Sequence, residues 1–160
     1  MKRSAKKNAF VFVHGYNVAF EDATRRTAQI SYDLGFDGAP VFYSWPSQGT
    51  VARYIVDETN IEWAQANIKR FLEDLASNSD AENIYLTAHS MGSRGLTRAF
   101  TELVAEKPAL RTRFREVILA APDIDAEVFK RDIAPKLAPA TLYASSQDKA
   151  LELSRKFHIS

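Results

Sequence analysis

The sequence predicts an α/β fold, a five-stranded parallel sheet with helices on both faces. Two observations carry this prediction. Short apolar runs with strand character alternate with segments of helical period along the chain, the pattern of successive βαβ units. The strand runs are also apolar at consecutive positions, as strands covered by helices on both sides must be.

The first strand is Ala9-Phe10-Val11-Phe12-Val13, ended by His14-Gly15. Phe20, Ala23, Thr27, Ile30 and Leu34 then recur at helical spacing, and Gly35 supplies a C-terminal stop. Pro40 to Trp45 reads as the second strand, closed by Pro46-Ser47-Gln48-Gly49. A longer helix runs from about Thr59 to Ala76, with Trp63, Ile68, Phe71, Leu72 and Leu75 as its apolar stripe. Between them, Gln48 to Asn60 has no clear period. It reads equally as a lid over an acyl pocket, through Val51, Tyr54, Ile55 and Val56, or as a distorted extension of the helix. Ile84 to Ala88 is the third strand, and Leu96, Ala99, Phe100 and Leu103 mark the helix after it. Glu116 to Ala121 is the fourth strand, stopped by Pro122, and Asp125 caps a helix through Ala126, Val128, Phe129 and Ile133. Thr141 to Ser145 is the fifth, followed by a short helix from Asp148 to about Phe157.

Composition narrows the function. The 160 residues form one domain, 1–160, large enough for a real core. Lys plus Arg is 21 against 20 for Asp plus Glu, so the net charge of +1 argues against a nucleic-acid partner. There is no Cys, which removes disulfides, thiolate metal sites and a Cys nucleophile. No His, Asp and Glu grouping has metal-ligand spacing, and no glycine-rich phosphate loop occurs. No cofactor is therefore expected. No apolar run approaches the roughly 20 residues of a transmembrane helix. The apolar stretch after the basic start is too short for a signal peptide, so the expected location is cytoplasmic unless a longer precursor exists.

The strongest chemical signal is Ala88-His89-Ser90-Met91-Gly92, between a buried strand and a helix. That is the setting of a nucleophile elbow, written G-x-S-x-G, in which a strained turn aims the Ser hydroxyl away from the sheet. Ala88 replaces the first Gly and Gly92 keeps the second. The helix starting at Met91 turns its N-terminal amides toward the Ser, which suits a developing oxyanion. The competing reading of Ser90 is a helix N-cap. A second signal, Phe12-Val13-His14-Gly15-Tyr16-Asn17, lies where such enzymes build the other half of an oxyanion hole. The donors would be the amides of Met91 and Tyr16, or Asn17 in place of Tyr16. His14 itself reads as structural.

These motifs resemble a bacterial group of α/β-hydrolase-fold proteins described as esterases or lipases of uncharacterised function. The likeness extends through Phe36-Asp37-Gly38-Ala39-Pro40, Ser44-Trp45-Pro46-Ser47, the run from Val117 to Asp125, and Leu142 to Ser146. It implies a minimal α/β-hydrolase core without the leading hairpin and final strand, and a nucleophile at Ser90. The triad order in that fold is Ser, acid, His. The resemblance implies Asp148 as the acid; Asp123 is the second choice, because Asp125 is the better cap. Among the histidines only His158 follows Asp148, since His14 precedes Ser90 and His89 adjoins it. The His implied by the family lies further downstream. Three arrangements stay open: His158 is recruited, a partner chain supplies the base, or the hydrolase domain is incomplete.

Tyr16, Trp45 and Tyr54 are candidates for an apolar substrate pocket, with Asn17 beside them; core packing competes for Trp45. Arg94 reads as a surface residue before an anion contact, and Arg25-Arg26 and Arg111-Thr112-Arg113 as solvated faces. Asp57, Glu58 and Glu62 read as helix N-terminal carboxylates. The function expected is a serine hydrolase cleaving a small-molecule carboxylic ester through an acyl-enzyme on Ser90. The alternative is a non-catalytic binding or assembly module, or an incomplete hydrolase domain, with a homodimer formed through an exposed sheet edge.

Overall fold

A computed structural model of the chain describes residues 7–16, 18–47, 53–137 and 140–143. Five strands pair in parallel in the order β2-β1-β3-β4-β5. They are β1 (Asn8–Val13), β2 (Ala39–Tyr43), β3 (Asn83–His89), β4 (Phe114–Ala120) and β5 (Ala140–Tyr143). The helices are α1 (Phe20–Asp33), α2 (Tyr54–Asn78), α3 (Gly92–Glu106) and the single turn α4 (Ala126–Val128). From β1 the chain steps outward to β2, then crosses back over β1 to β3 and continues in that direction. With right-handed crossovers, this one reversal puts α1 on the face opposite α2 and α3. The predicted α/β sheet with helices on both faces is thus the architecture observed.

The larger core lies under α2 and α3. Val11, Val13, Leu86, Val117 and Leu119 meet Ile61, Ile68 and Leu72 of α2 and Leu96, Phe100 and Leu103 of α3. The two helices lie close because Gly95 has no side chain; a Cβ there would sit 2.8 Å from Ile61 Cδ1. On the other face Phe36 packs on Phe10 and Tyr85 at 5.7 and 5.9 Å. Pro40, which has no N–H to give a ladder, sits in β2, an outer strand of the described sheet, where it is tolerated. Among the described residues no helix is long and apolar enough to cross a membrane.

Several expectations change. The long helix begins at Tyr54, not near Thr59, so most of the stretch without a clear period is helical; residues 48–52 lie outside the described residues. Trp63 does not belong to the buried stripe of α2, being 81% exposed. At about 100° per residue, Ile61, Ala64, Ile68 and Leu72 share a face, and a residue two positions after Ile61 points away from it. In α1 only Ala23 and Thr27 are buried, while Phe20 and Leu34 are exposed. Gly35 does stop α1, at φ 56°, with Leu34 and Gly35 N–H bonded back to Ile30 and Tyr32 carbonyls. Asp125 caps α4, accepting from Glu127 and Val128 N–H at 2.9 and 3.0 Å. The helix then widens into a π turn (Phe129–Ile133) and ends in a 3-10 turn (Ala134–Lys136). A 3-10 helix at Pro108–Arg113 was not foreshadowed by any apolar period. Arg111 and Arg113 are not simply solvated: Arg111 binds the Leu137 carbonyl at 2.9 Å, and Arg113 binds the Ser79 and Ala81 carbonyls after α2. The expected last helix, 148–157, lies outside the described residues.

Leu72→Ala should lower the free energy of unfolding by about 2–5 kcal/mol, because it opens a cavity under α2. Trp63→Ala should change it by less than about 0.5 kcal/mol. Urea denaturation of both variants checks the placement of α2.

Candidate active site

In an open parallel sheet the natural ligand crevice lies beyond the carboxyl ends of the strands where the chain reverses direction. Here that point is the gap between β1 and β3, which are neighbours in space but flank the excursion to β2. The turn His14-Gly15-Tyr16 leaves β1 there, and His89-Ser90-Met91 leaves β3. Both turns reach the same spot only because two glycines allow it. A Cβ on Gly15 would lie 2.9 Å from the His89 carbonyl oxygen and 3.1 Å from Ser90 Cβ. A Cβ on Gly92 would lie 2.3 Å from the His14 carbonyl oxygen, a backbone atom that cannot step aside.

Ser90 has a φ of 51°, the left-handed region in which an L side chain is strained. The strain is held by backbone bonds on three sides. Ser90 N–H donates to Ala120 O at 2.9 Å, and Ser90 O accepts from Ser93 N–H at 3.0 Å and from Asp123 N–H at 3.2 Å. The side chain is 0% exposed, and its Oγ has no hydrogen-bond partner among the described residues. A helix cap would have bonded that hydroxyl to an amide of the first turn; α3 has no side-chain cap bond. Met91, buried, begins the turn into α3.

His14 is a hub, not a base. It is fully buried and stacked on Trp45, with ring centroids 5.1 Å apart. Nδ1 lies 2.9 Å from the Gly15 carbonyl, so it must carry the proton and donate. Nε2 then accepts from Trp45 N–H at 3.2 Å and faces Ser44 Oγ at 3.3 Å. Trp45 Nε1–H returns a bond to His14 O at 2.8 Å. Burial holds the His14 pKa below its ordinary 6.5, against the pull of the Gly15 carbonyl and of Asp57. Asp57, also buried, accepts from Ser47 Oγ at 2.5 Å, and Asn60 donates to Pro46 O at 2.7 Å, tying the start of α2 to the end of β2.

Of the residues singled out from sequence, the structure brings together Ser90, Met91 and the half-buried Tyr16, which packs against the core. Trp45 lies in the core, 3% exposed with its indole N–H spent on His14, so it packs this turn and is not an open pocket wall. Tyr54 opens α2. Asn17, Asp148 and His158 lie outside the described residues. Asp123, the second choice of acid, is 1% exposed and ion-paired to Arg94 at 3.1 Å. Arg94 is correspondingly not a surface residue: its side chain is 13% exposed, and it also pairs with Glu58. Its position in the first turn of α3, four residues after Ser90, is the one sequence feature that places it near the elbow, and it does not reveal the partner.

The family model and a solved structure agree with this fold. The model of a family described as α/β hydrolase of unknown function (DUF900) matches residues 1–160. A cutinase of Trichoderma reesei, solved with a phosphonate inhibitor, is similar at TM-score 0.55 and 16% identity, over 94% of this chain and 66% of that chain. A lipase B of Aspergillus fumigatus is matched at TM-score 0.44 and 19% identity, over 72% of this chain and 24% of that chain. The chain spans less than two thirds of the length of either. No curated protein matches it.

Because Ser90 sits at positive φ, Ser90→Gly should be more stable than Ser90→Ala by about 0.5–1 kcal/mol, the relief of strain exceeding glycine's extra unfolded freedom. Urea denaturation of the two variants reads the difference. His14 gives a pH test. Its folded pKa is lowered, so the unfolded chain binds more protons below pH 6.5. Its contribution is complete above that pH and is lost as the pH falls toward the folded value. The stability lost between pH 7.5 and 5.5 should therefore be larger in the wild type than in His14→Gln.

Proposed function

We propose that this chain, which belongs to the α/β hydrolase family of unknown function (DUF900), is a serine hydrolase that cleaves carboxylic esters through an acyl-enzyme on Ser90. The observation that carries the reading is the backbone of Ser90. A non-glycine residue held at φ 51° between β3 and α3, with a hydroxyl that serves no hydrogen bond among the described residues, has no structural use for its strain. The switch-point position and the adjoining Gly15 turn support the same reading.

In this mechanism Ser90 Oγ attacks the ester carbonyl carbon and gives its proton to a histidine. The negative charge that develops on the carbonyl oxygen is received by the N–H groups of Met91 and Tyr16. The tetrahedral intermediate collapses, the C–O bond to the alcohol breaks, and the alcohol leaves with the proton from the histidine. Water, deprotonated by the same histidine, then hydrolyses the acyl-enzyme. His14 is unsuited to this work, since both ring nitrogens are engaged in holding the turn. We assign the acid to Asp148, as the family resemblance implies, and the base to His158, the histidine that follows it in the chain. Tyr16, Asn17 and Tyr54 are assigned to the substrate pocket. Ser90 is fully buried, so turnover requires the groups that cover it to move. The same burial favours the second reading, a non-catalytic module in which the elbow never meets a substrate.

Hydrolysis of a short-chain p-nitrophenyl ester separates the two. The wild type should turn over and be labelled at Ser90 by a fluorophosphonate, and Ser90→Ala should lose both, with at least a 10³-fold fall in kcat. Equal rates and no labelling in wild type and Ser90→Ala would leave the non-catalytic module or an incomplete hydrolase domain.

A further inference from the structure

We infer that Arg94 is a positioning residue for the oxyanion donor at Met91, acting through Asp123; the inference rests on the reading of Ser90 as nucleophile. The chain of contacts is short and continuous. Ser90 O and Met91 N–H belong to one peptide group, which is planar, so whatever fixes the carbonyl also aims the N–H. Asp123 N–H bonds to that carbonyl at 3.2 Å from the side of β4. A bond accepted at the carbonyl also polarises the peptide and makes its N–H a better donor.

Asp123 does not hold itself in place. It stands one residue beyond Pro122, which follows Ala121, a second non-glycine residue at positive φ, 44°. A loop with this strain relaxes unless its far side is tied down. Arg94 supplies the tie: Nε donates to Asp123 O at 2.7 Å and Nη2 meets Asp123 Oδ2 at 3.1 Å. One planar guanidinium thus grips the main chain and the side chain of the same residue, a fork that a lysine cannot reproduce. Its third edge pairs with Glu58 Oε1 of α2. Arg94, Asp123 and Glu58 are all largely buried, so the geometry is shielded from water and not averaged by it. Without the guanidinium, the buried carboxylates of Asp123 and Glu58 lose this cation and are drawn toward water, and the Ala121–Asp123 loop goes with them.

The test compares Arg94→Lys and Arg94→Ala with the wild type, and with Arg98→Lys, whose exposed pair with Glu62 is remote from Ser90 O in this scheme. With the p-nitrophenyl ester, Arg94→Lys should lose about 10–100-fold in kcat with KM within about twofold, less than the loss of a whole oxyanion donor. Ethylguanidinium should restore part of the kcat lost in Arg94→Ala, and Arg98→Lys should match the wild type. Independently of turnover, amide hydrogen exchange by NMR should quicken at Met91 and Asp123 in Arg94→Lys, while the amides of the middle of α3 keep their protection. Wild-type kcat in Arg94→Lys, or unchanged exchange at Met91 and Asp123, would overturn the inference. A wild type without ester turnover or fluorophosphonate labelling would defeat the hydrolase reading instead, and the exchange rates would still decide whether Arg94 braces the elbow.

Discussion

The peptide that turns from β3 into α3 must be held in a conformation the chain resists, and much of the molecule around it serves that one constraint. Ser90 sits at φ 51°, where a side chain costs of the order of 1–2 kcal/mol. No single contact holds it. Ala120, Ser93 and Asp123 bond its amide and carbonyl, and the close-packed backbones of His14 and Gly15 leave the turn no room to unwind. The parallel pairing of β3 with both β1 and β4 is what brings these neighbours to the same level.

Two buried polar clusters flank the turn and fix its two sides by different means. On the β1 side the cluster is nearly neutral: His14, Trp45 and Ser44 exchange hydrogen bonds between aromatic rings and backbone. Such a group stays intact while the imidazole remains uncharged, which burial favours. On the β4 side the cluster is ionic, with Arg94 between Asp123 and Glu58. Both clusters reach α2, through Asp57 and Asn60 in one case and Glu58 in the other. The first turns of α2 therefore link the two halves of the site, which explains why a segment without an apolar period is nonetheless ordered as helix. Its side chains answer to polar partners, not to the core.

The α/β class was legible because consecutive apolar residues in β1 answer to a sheet covered on both faces, and Leu86, Val117 and Leu119 in β3 and β4 to the helices over one of them. The elbow was legible because Ser90 and Gly92 stand where a strand must turn sharply into a helix. Trp63 was misplaced because it was counted into the apolar stripe of the helix, whereas its angular position on α2 turns it away from the buried face. Arg94 was misread because a lone arginine looks like surface until the residue that receives it is known. Asp123 is 29 residues away in sequence, and no local pattern announces the pair.

By itself, then, the sequence determined the sheet, the order of its layers and the site of its sharpest turn, because these follow from local periodicity and from the steric demands of single residues. Only the tertiary structure decided which polar groups meet across that turn: that His14 is spent on Trp45, that Asp123 reaches the carbonyl of Ser90, and that Arg94 grips Asp123 from α3. Those pairings depend on the distance between elements far apart in the chain, and buried polar groups find their partners only when the strands and helices that carry them have packed.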